Sequence, residues 1–173
     1  MGRVRWVVLA VMACIGVSLL NPYPHWDRRM LSIGRYHRAV DLKDKNLGWI
    51  ESLFSGMDVL AQKEKKQLVY FGDGIGGFTT VMESEPDILG NRVYSLYNSG
   101  KADASSSKKD MNTQVLLAHF PLLFHEKPKD VLVLGLASGI TSGEVLHYPI
   151  DRIDTVEINQ QVVEASNFFI PWN

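Results

Sequence analysis

A single cysteine, Cys14, is all that the 173 residues contain. An intrachain disulfide is therefore excluded, and thiols say nothing about the redox compartment. Neither sign of charge is in excess, with 18 Lys and Arg against 19 Asp and Glu. That balance provides no basic footprint for a nucleic acid and no acidic tail, so no nucleic-acid partner is expected. No His, Cys or Asp cluster has metal-ligand spacing, so no metal site is expected either. Internal repeats and low-complexity segments are also lacking, which excludes solenoids and arrays. The length leaves room for about one domain and an appendage.

Long hydrophobic runs are scarce too. One stands out at residues 6–20, uncharged and preceded by Arg3 and Arg5. It is shorter than the ~20 residues that span a bilayer. A signal peptide has this basic start and apolar length, but no small-x-small cleavage site follows Leu19-Leu20-Asn21-Pro22. Ala13 before Cys14 suits a lipoprotein signal, whereas Met12 and Ile15 do not. A short transmembrane helix ended by Pro22, with its basic end cytoplasmic, is the reading we favour. A buried soluble helix is the third. Residues 1–22 thus form a membrane or signal segment, and 23–65 a connector and helix. Trp26, Tyr36 and Arg28-Arg29 suit a headgroup region or an ordinary polar linker. Ile50, Leu53, Phe54, Met57 and Leu60 lie on one helical face, weakened by Gly56.

Residues 66–105 are expected to form an antiparallel meander. Strands are predicted at 66–71, 78–82 and 92–97, with a short fourth after the strong turn signal Asn98-Ser99-Gly100-Lys101. Gly72-Asp73-Gly74-Ile75-Gly76-Gly77 reads as a hairpin turn with several positive-φ positions. It is not a phosphate loop, because no Lys-Ser/Thr follows and strands rather than a helix flank it.

The third block, 106–173, reads as the start of a Rossmann-like parallel sheet. Asp110 stands where a helix N-cap belongs. Val115, Leu116, Ala118, His119, Leu122 and Leu123 line a helix that kinks or ends near Pro121. Val131-Leu-Val-Leu-Gly135 is apolar without alternation, as a strand buried on both faces would be. Gly135 and Gly139 allow a sharp turn and close backbone approach to a ligand. A helix is predicted at 139–147, a second parallel strand at 151–158 and another helix at 160–169. Glu157, about 20 residues after the loop, is placed to bind a ribose hydroxyl, or else only caps the next helix. The fold class is thus α/β: an N-terminal apolar helix, a small meander, then a parallel sheet. Two parallel strands do not make a doubly wound domain, so the chain is expected to be part of a longer protein.

Several motifs in order resemble the spermidine synthase (polyamine aminopropyltransferase) family. They are Asn98-Ser-Gly-Lys-Ala-Asp103, Asp110-Met-Asn-Thr-Gln114, and His119-Phe-Pro121-Leu-Leu-Phe-His125-Glu-Lys-Pro128-Lys-Asp-Val-Leu-Val-Leu-Gly135. Val156-Glu157-Ile158-Asn159 and Val162-Val163-Glu164 continue the series. A methyltransferase would share only the glycine loop and the acid. Trp26-Asp27, Ser32, Gly34 and Tyr36 further resemble the branch whose enzyme domain follows a polytopic membrane domain.

The resemblance implies transfer of an aminopropyl group from decarboxylated S-adenosylmethionine to an amine such as putrescine. The donor is a co-substrate, and no tightly bound cofactor is expected. Partners would be the amine, the adenosyl donor and a membrane, with a homodimer left open. The enzyme-like domain would be cytoplasmic. Gln114, Gly135, Ser138, Gly139 and Glu157 match donor-site positions. The resemblance also carries departures. Ser138 stands where an aspartate grips the donor's amino group, Thr113 replaces a pocket tyrosine, Ala137 a loop glycine, and Asn159 an aspartate. No catalytic residue is assigned, because the family's catalytic aspartate belongs to a motif beyond Asn173. This chain is therefore expected to be inactive by itself. Alternatives are a membrane-tethered nucleoside-binding module without catalysis and, with less support, a methyltransferase. Gln114 also reads as a solvated helix residue, and His119 and His125 as packing or surface histidines.

Overall fold

The computed structural model describes residues 2–20, 28–32, 34 and 65–173. Helix α1 (Gly2–Leu20) carries charge only at Arg3 and Arg5, and Val4, Trp6, Val7, Leu9, Val11 and Met12 are exposed on it. The apolar-helix expectation is met, but its membrane-spanning form is not supported. Among the described residues no helix is long and apolar enough to cross a membrane. The uncharged part, residues 6–20, extends only ~22 Å at ~1.5 Å per residue, against a hydrocarbon core of ~30 Å. Helix α2 (Arg28–Ser32) is one short turn. The helix expected at 47–60 lies outside the described residues.

Four antiparallel strands follow in the order β1-β2-β3-β4: β1 (Gln67–Gly74), β2 (Gly77–Glu83), β3 (Tyr94–Asn98) and β4 (Lys101–Ser105). The meander reading holds, with a shorter first turn. β1 runs on through Gly72 and Gly74, which pair with Thr79 and Gly77. Of the glycines in that run only Gly76 and Gly77 have positive φ. Gly72 and Gly74 serve another purpose: a Cβ at either would collide with the side chains of Gln161 or Asn159. Ser99 and Gly100, at φ 47° and 78°, form the two-residue β3–β4 turn in the left-handed conformation that matches strand twist.

Helix α3 (Lys108–Phe124) leads into β5 (Asp130–Leu134), α4 (Ile140–Val145), β6 (Arg152–Val156), α5 (Gln160–Ser166) and a 3-10 turn, Asn167–Phe169. Ser107, not Asp110, is the N-cap of α3. Asp110 sits inside the first turn, and its carboxylate accepts the Ser105 amide. Pro121 does not end the helix. Its neighbours Ala118 and Leu122 are buried, and packing holds the last turn against the missing amide.

β5 and β6 pair in parallel, from Asp130 with Arg152 to Leu134 with Val156. Their two faces differ. Val131, Val133 and Ile153 pack on Ala118, Leu122 and Val145 from α3 and α4. The other face leaves Leu132, Leu134 and Val156 exposed. A second core joins the meander to the βαβ unit: Val81, Leu96 and Ala104 from the strands meet Ile140, Ala165 and Phe169. Tyr94 adds ring contacts to Phe168, Phe169 and Trp172. This shared core sets the hairpin and the glycine loop face to face.

Candidate nucleoside site

The site begins where β5 ends. The Gly135 amide still bonds the Val156 carbonyl at 2.8 Å. The chain then turns through three positive-φ residues, Gly135 (90°), Ala137 (49°) and Gly139 (83°). Ala137 is the unusual one, because an alanine pays about 1–2 kcal/mol for this conformation. One carboxylate holds the turn. Glu157 Oε2 accepts the Leu136 amide at 3.0 Å, and Oε1 accepts the Asn159 amide at 2.9 Å. Asn159 then caps α5 by accepting the Gln161 amide on its side chain at 3.0 Å. The capping reading of Glu157 holds indirectly. The carboxylate orders the residue that caps the helix while bracing the loop, and about half of its roughly four acceptor positions stay open.

A cavity of about 440 Å³ opens in front of Glu157. Ile75, Gly76, Gly77 and Phe78 of the β1–β2 hairpin form one wall, and Leu134, Gly135, Ala137 and Ile158 form the opposite wall. Asn98, Ser99 and Asp103 close the side. This is the carboxyl end of the parallel strands, where open α/β sheets bind ligands. A larger hollow of about 670 Å³ runs along α3 and β5 past Leu117, Pro121 and Leu122. It lies on the strand's flank, away from the loop amides and Glu157.

The structure divides the residues expected at the donor site. Gly135 and Glu157 line the cavity. Gln114 and Ser138 do not. Both are buried behind the loop, where the Ser138 hydroxyl bonds Gln114 Oε1. Gln114 Nε2 donates to the Ser105 carbonyl (2.9 Å) and to Asp110 (3.2 Å), while Thr141 Oγ1 bonds the Gln114 carbonyl. Gly139 lies against Asn173, whose side chain donates to the Ser138 carbonyl at 2.7 Å. Gln114 and Ser138 thus tie the loop to α3, and Gly139 packs on the C-terminal Asn173.

Other cavity residues were not assigned from sequence. Asp103, Asn98 and Asn159 belong to quoted motifs, and the glycine-rich hairpin was read only as a turn. Their convergence depends on long-range packing. His119 contacts Tyr148 Oη (2.6 Å) and Glu144 (3.1 Å), tying α3 to α4 away from the cavity. Tyr70 Oη lies 2.7 Å from Gln161 Oε1 and 2.8 Å from Glu164 Oε2, two acceptors for its single proton. Its pKa is pushed up to about 12 by burial and by the Glu164 carboxylate.

A strand, a glycine turn braced by a strand-tip acid, and a cavity beyond both make this end of the βαβ unit a candidate ligand site. Residues 111–172 match the spermine/spermidine synthase domain. A polyamine aminopropyltransferase of Methanocaldococcus jannaschii is 39% identical over 57 residues, covering 32% of this chain and 20% of the relative. Putrescine N-methyltransferase 2 of Nicotiana tabacum is 43% identical over 58 residues, covering 33% of this chain and 16% of the relative. The spermidine synthase structure from Thermotoga maritima aligns with TM-score 0.49 and 27% identity, over 60% of this chain and 35% of that one. The matched segment thus spans only a fifth or less of these two curated relatives' lengths.

Proposed function

We propose that this chain forms part of an aminopropyltransferase that moves the aminopropyl group of decarboxylated S-adenosylmethionine to a polyamine acceptor such as putrescine. The observation that carries the reading is Glu157, braced by the Leu136 and Asn159 amides at the mouth of the cavity. Its open acceptor positions suit the two hydroxyls of a ribose. Ile75, Phe78, Leu134 and Ile158 supply apolar surface for a purine. In the reaction the amine nitrogen attacks the methylene beside the sulfonium, and that carbon–sulfur bond breaks. Its electron pair stays on sulfur, so methylthioadenosine leaves neutral, and the ammonium formed gives up a proton. Holding both reactants in line is the protein's main contribution.

The putrescine N-methyltransferases among the relatives favour a second reading, methyl transfer to the same kind of amine. One assay separates the two. The protein is incubated with putrescine and either decarboxylated S-adenosylmethionine or S-adenosylmethionine. Release of methylthioadenosine from the first supports aminopropyl transfer; release of S-adenosylhomocysteine from the second supports methylation. Binding of methylthioadenosine without turnover leaves a non-catalytic nucleoside module. A folded sample that binds no nucleoside overturns all three. We further propose membrane association through α1, with the nucleoside site on the cytoplasmic side. Flotation with anionic vesicles that persists after deletion of residues 2–20 would refute it.

A further inference from the structure

Of the residues that line the cavity, two are ionisable, Glu157 and Asp103, and both are acidic. Among the described residues no lysine or arginine lines it. The two acids stand on different walls and are engaged differently. Glu157 has a backbone amide on each oxygen. Asp103, on β4, accepts one hydrogen bond, from Asn98 Nδ2 to Oδ2 at 2.5 Å. Its Oδ1 has no partner among the described residues.

The orientation of Asp103 is set by a directional chain that starts on the opposite wall. Asn159 Nδ2 donates to Thr79 Oγ1 at 3.1 Å, and the Thr79 hydroxyl spends its only proton on Asn98 Oδ1 at 2.7 Å. Asn98 must therefore turn its amide nitrogen away, toward Asp103. Thr79 and Asn159 are buried, so the first link is sheltered from water, while the Asn98–Asp103 link lies in the open. This directional chain leaves an acceptor-only oxygen of Asp103 beside a cavity that has no countercharge among the described residues.

We infer that Asp103 is the specificity-determining residue for charge, recognising an alkylammonium group on whatever occupies the cavity. The inference rests on the nucleoside reading above. It adds that a cationic ligand is preferred over its neutral counterpart, by a residue on the meander rather than on the glycine loop. An alkylammonium can come from the tail of the donor or from the acceptor amine.

Calorimetry with three probes distinguishes these sources: methylthioadenosine, decarboxylated S-adenosylmethionine, and putrescine added to protein saturated with methylthioadenosine. Asp103→Asn keeps an acceptor for Asn98 and removes the charge. Its methylthioadenosine affinity should stay within about twofold of wild type, because the neutral nucleoside does not use the charge. The preference for decarboxylated S-adenosylmethionine should fall by about five- to tenfold if the donor's tail is held, as expected for a lost charge-assisted hydrogen bond. A like fall for putrescine instead assigns the ammonium to the acceptor. Asp103→Glu should restore most of the preference. Equal changes for all probes, or none, overturn the inference while leaving the nucleoside site intact. A wild-type protein that binds no methylthioadenosine overturns both. Salt provides a check without any variant: the preference for the cationic probe should shrink as ionic strength rises. A salt-independent preference would also count against Asp103.

Discussion

The two glycine-bearing turns that face each other across the cavity look alike in sequence and are built for different reasons. In the β1–β2 hairpin, Gly76 and Gly77 provide the turn, while Gly72 and Gly74 lie in the strand and make room for Gln161 and Asn159. In the β5–α4 loop, Gly135 faces open space and is needed for its φ of 90°. The hairpin's glycines thus serve mainly the neighbouring helix, and the loop's glycines serve the path of the loop itself. A missing side chain can mean a close neighbour or an unusual backbone, and only the surroundings tell which.

Substitution should expose the difference most strongly at Gly77. Its φ of 140° is closed to side chains, and a Cβ would strike Ser99 Oγ. Gly77→Ala should therefore cost about 3 kcal/mol, combining backbone strain and overpacking. Gly135→Ala, with nothing within 4 Å, should cost only the backbone term of about 1–2 kcal/mol. Urea melts of both variants test this; equal losses would erase the distinction.

Glu157→Gln comes next. Glutamine keeps one acceptor and sets an NH₂ against a second backbone amide, so stability should drop by about 1–2 kcal/mol. The loss comes from the Leu136 and Asn159 bonds, which an unengaged strand-tip carboxylate would lack. Methylthioadenosine affinity should also fall about five- to a hundredfold, the equivalent of ~1–3 kcal/mol. An unchanged melt would show that the carboxylate does not brace the loop.

Tyr70 sharpens the hairpin side of the comparison. Its folded-state pKa is raised from 10.0 to about 12. The folded form therefore holds the phenolic proton more tightly than the unfolded form. That stabilisation is fully present below pH ~10 and is lost as pH rises through ~12. Tyr70→Phe should cost about 1 kcal/mol at neutral pH and should flatten the stability loss between pH 10 and 12. Glu164, which can accept the Tyr70 hydroxyl, is the other half of this linkage. A variant with the wild-type alkaline profile would contradict this linkage.

The smallest expected effect is a gain. Ala137 at φ 49° already bears the strain that a glycine would relieve. Ala137→Gly should stabilise the chain by about 0.5–1 kcal/mol, because the relieved strain exceeds the added flexibility of the unfolded state. A thermal melt with no rise would show that Ala137 packing against the shared core outweighs its backbone cost.

Local chemistry made the elements legible in the sequence. The strands, the Asn98–Lys101 turn, the glycine loop after β5 and the strand-tip Glu157 follow from patterns within a few residues of each other. The order of motifs was enough to indicate the spermine/spermidine synthase domain that residues 111–172 match. What escaped was set by packing between distant segments. Gln114 and Ser138, both expected at the donor site, bond each other across 24 positions, a pairing that no local pattern announces. Asp103 drew no role because its aim is set by Asn159 through Thr79, a link across 80 positions. Side-chain type and spacing determine which elements form. Which polar atoms are left open to a ligand is decided only when the shared core of Val81, Leu96, Ile140 and Phe169 brings the meander against the loop, because each buried polar group must then find a partner nearby.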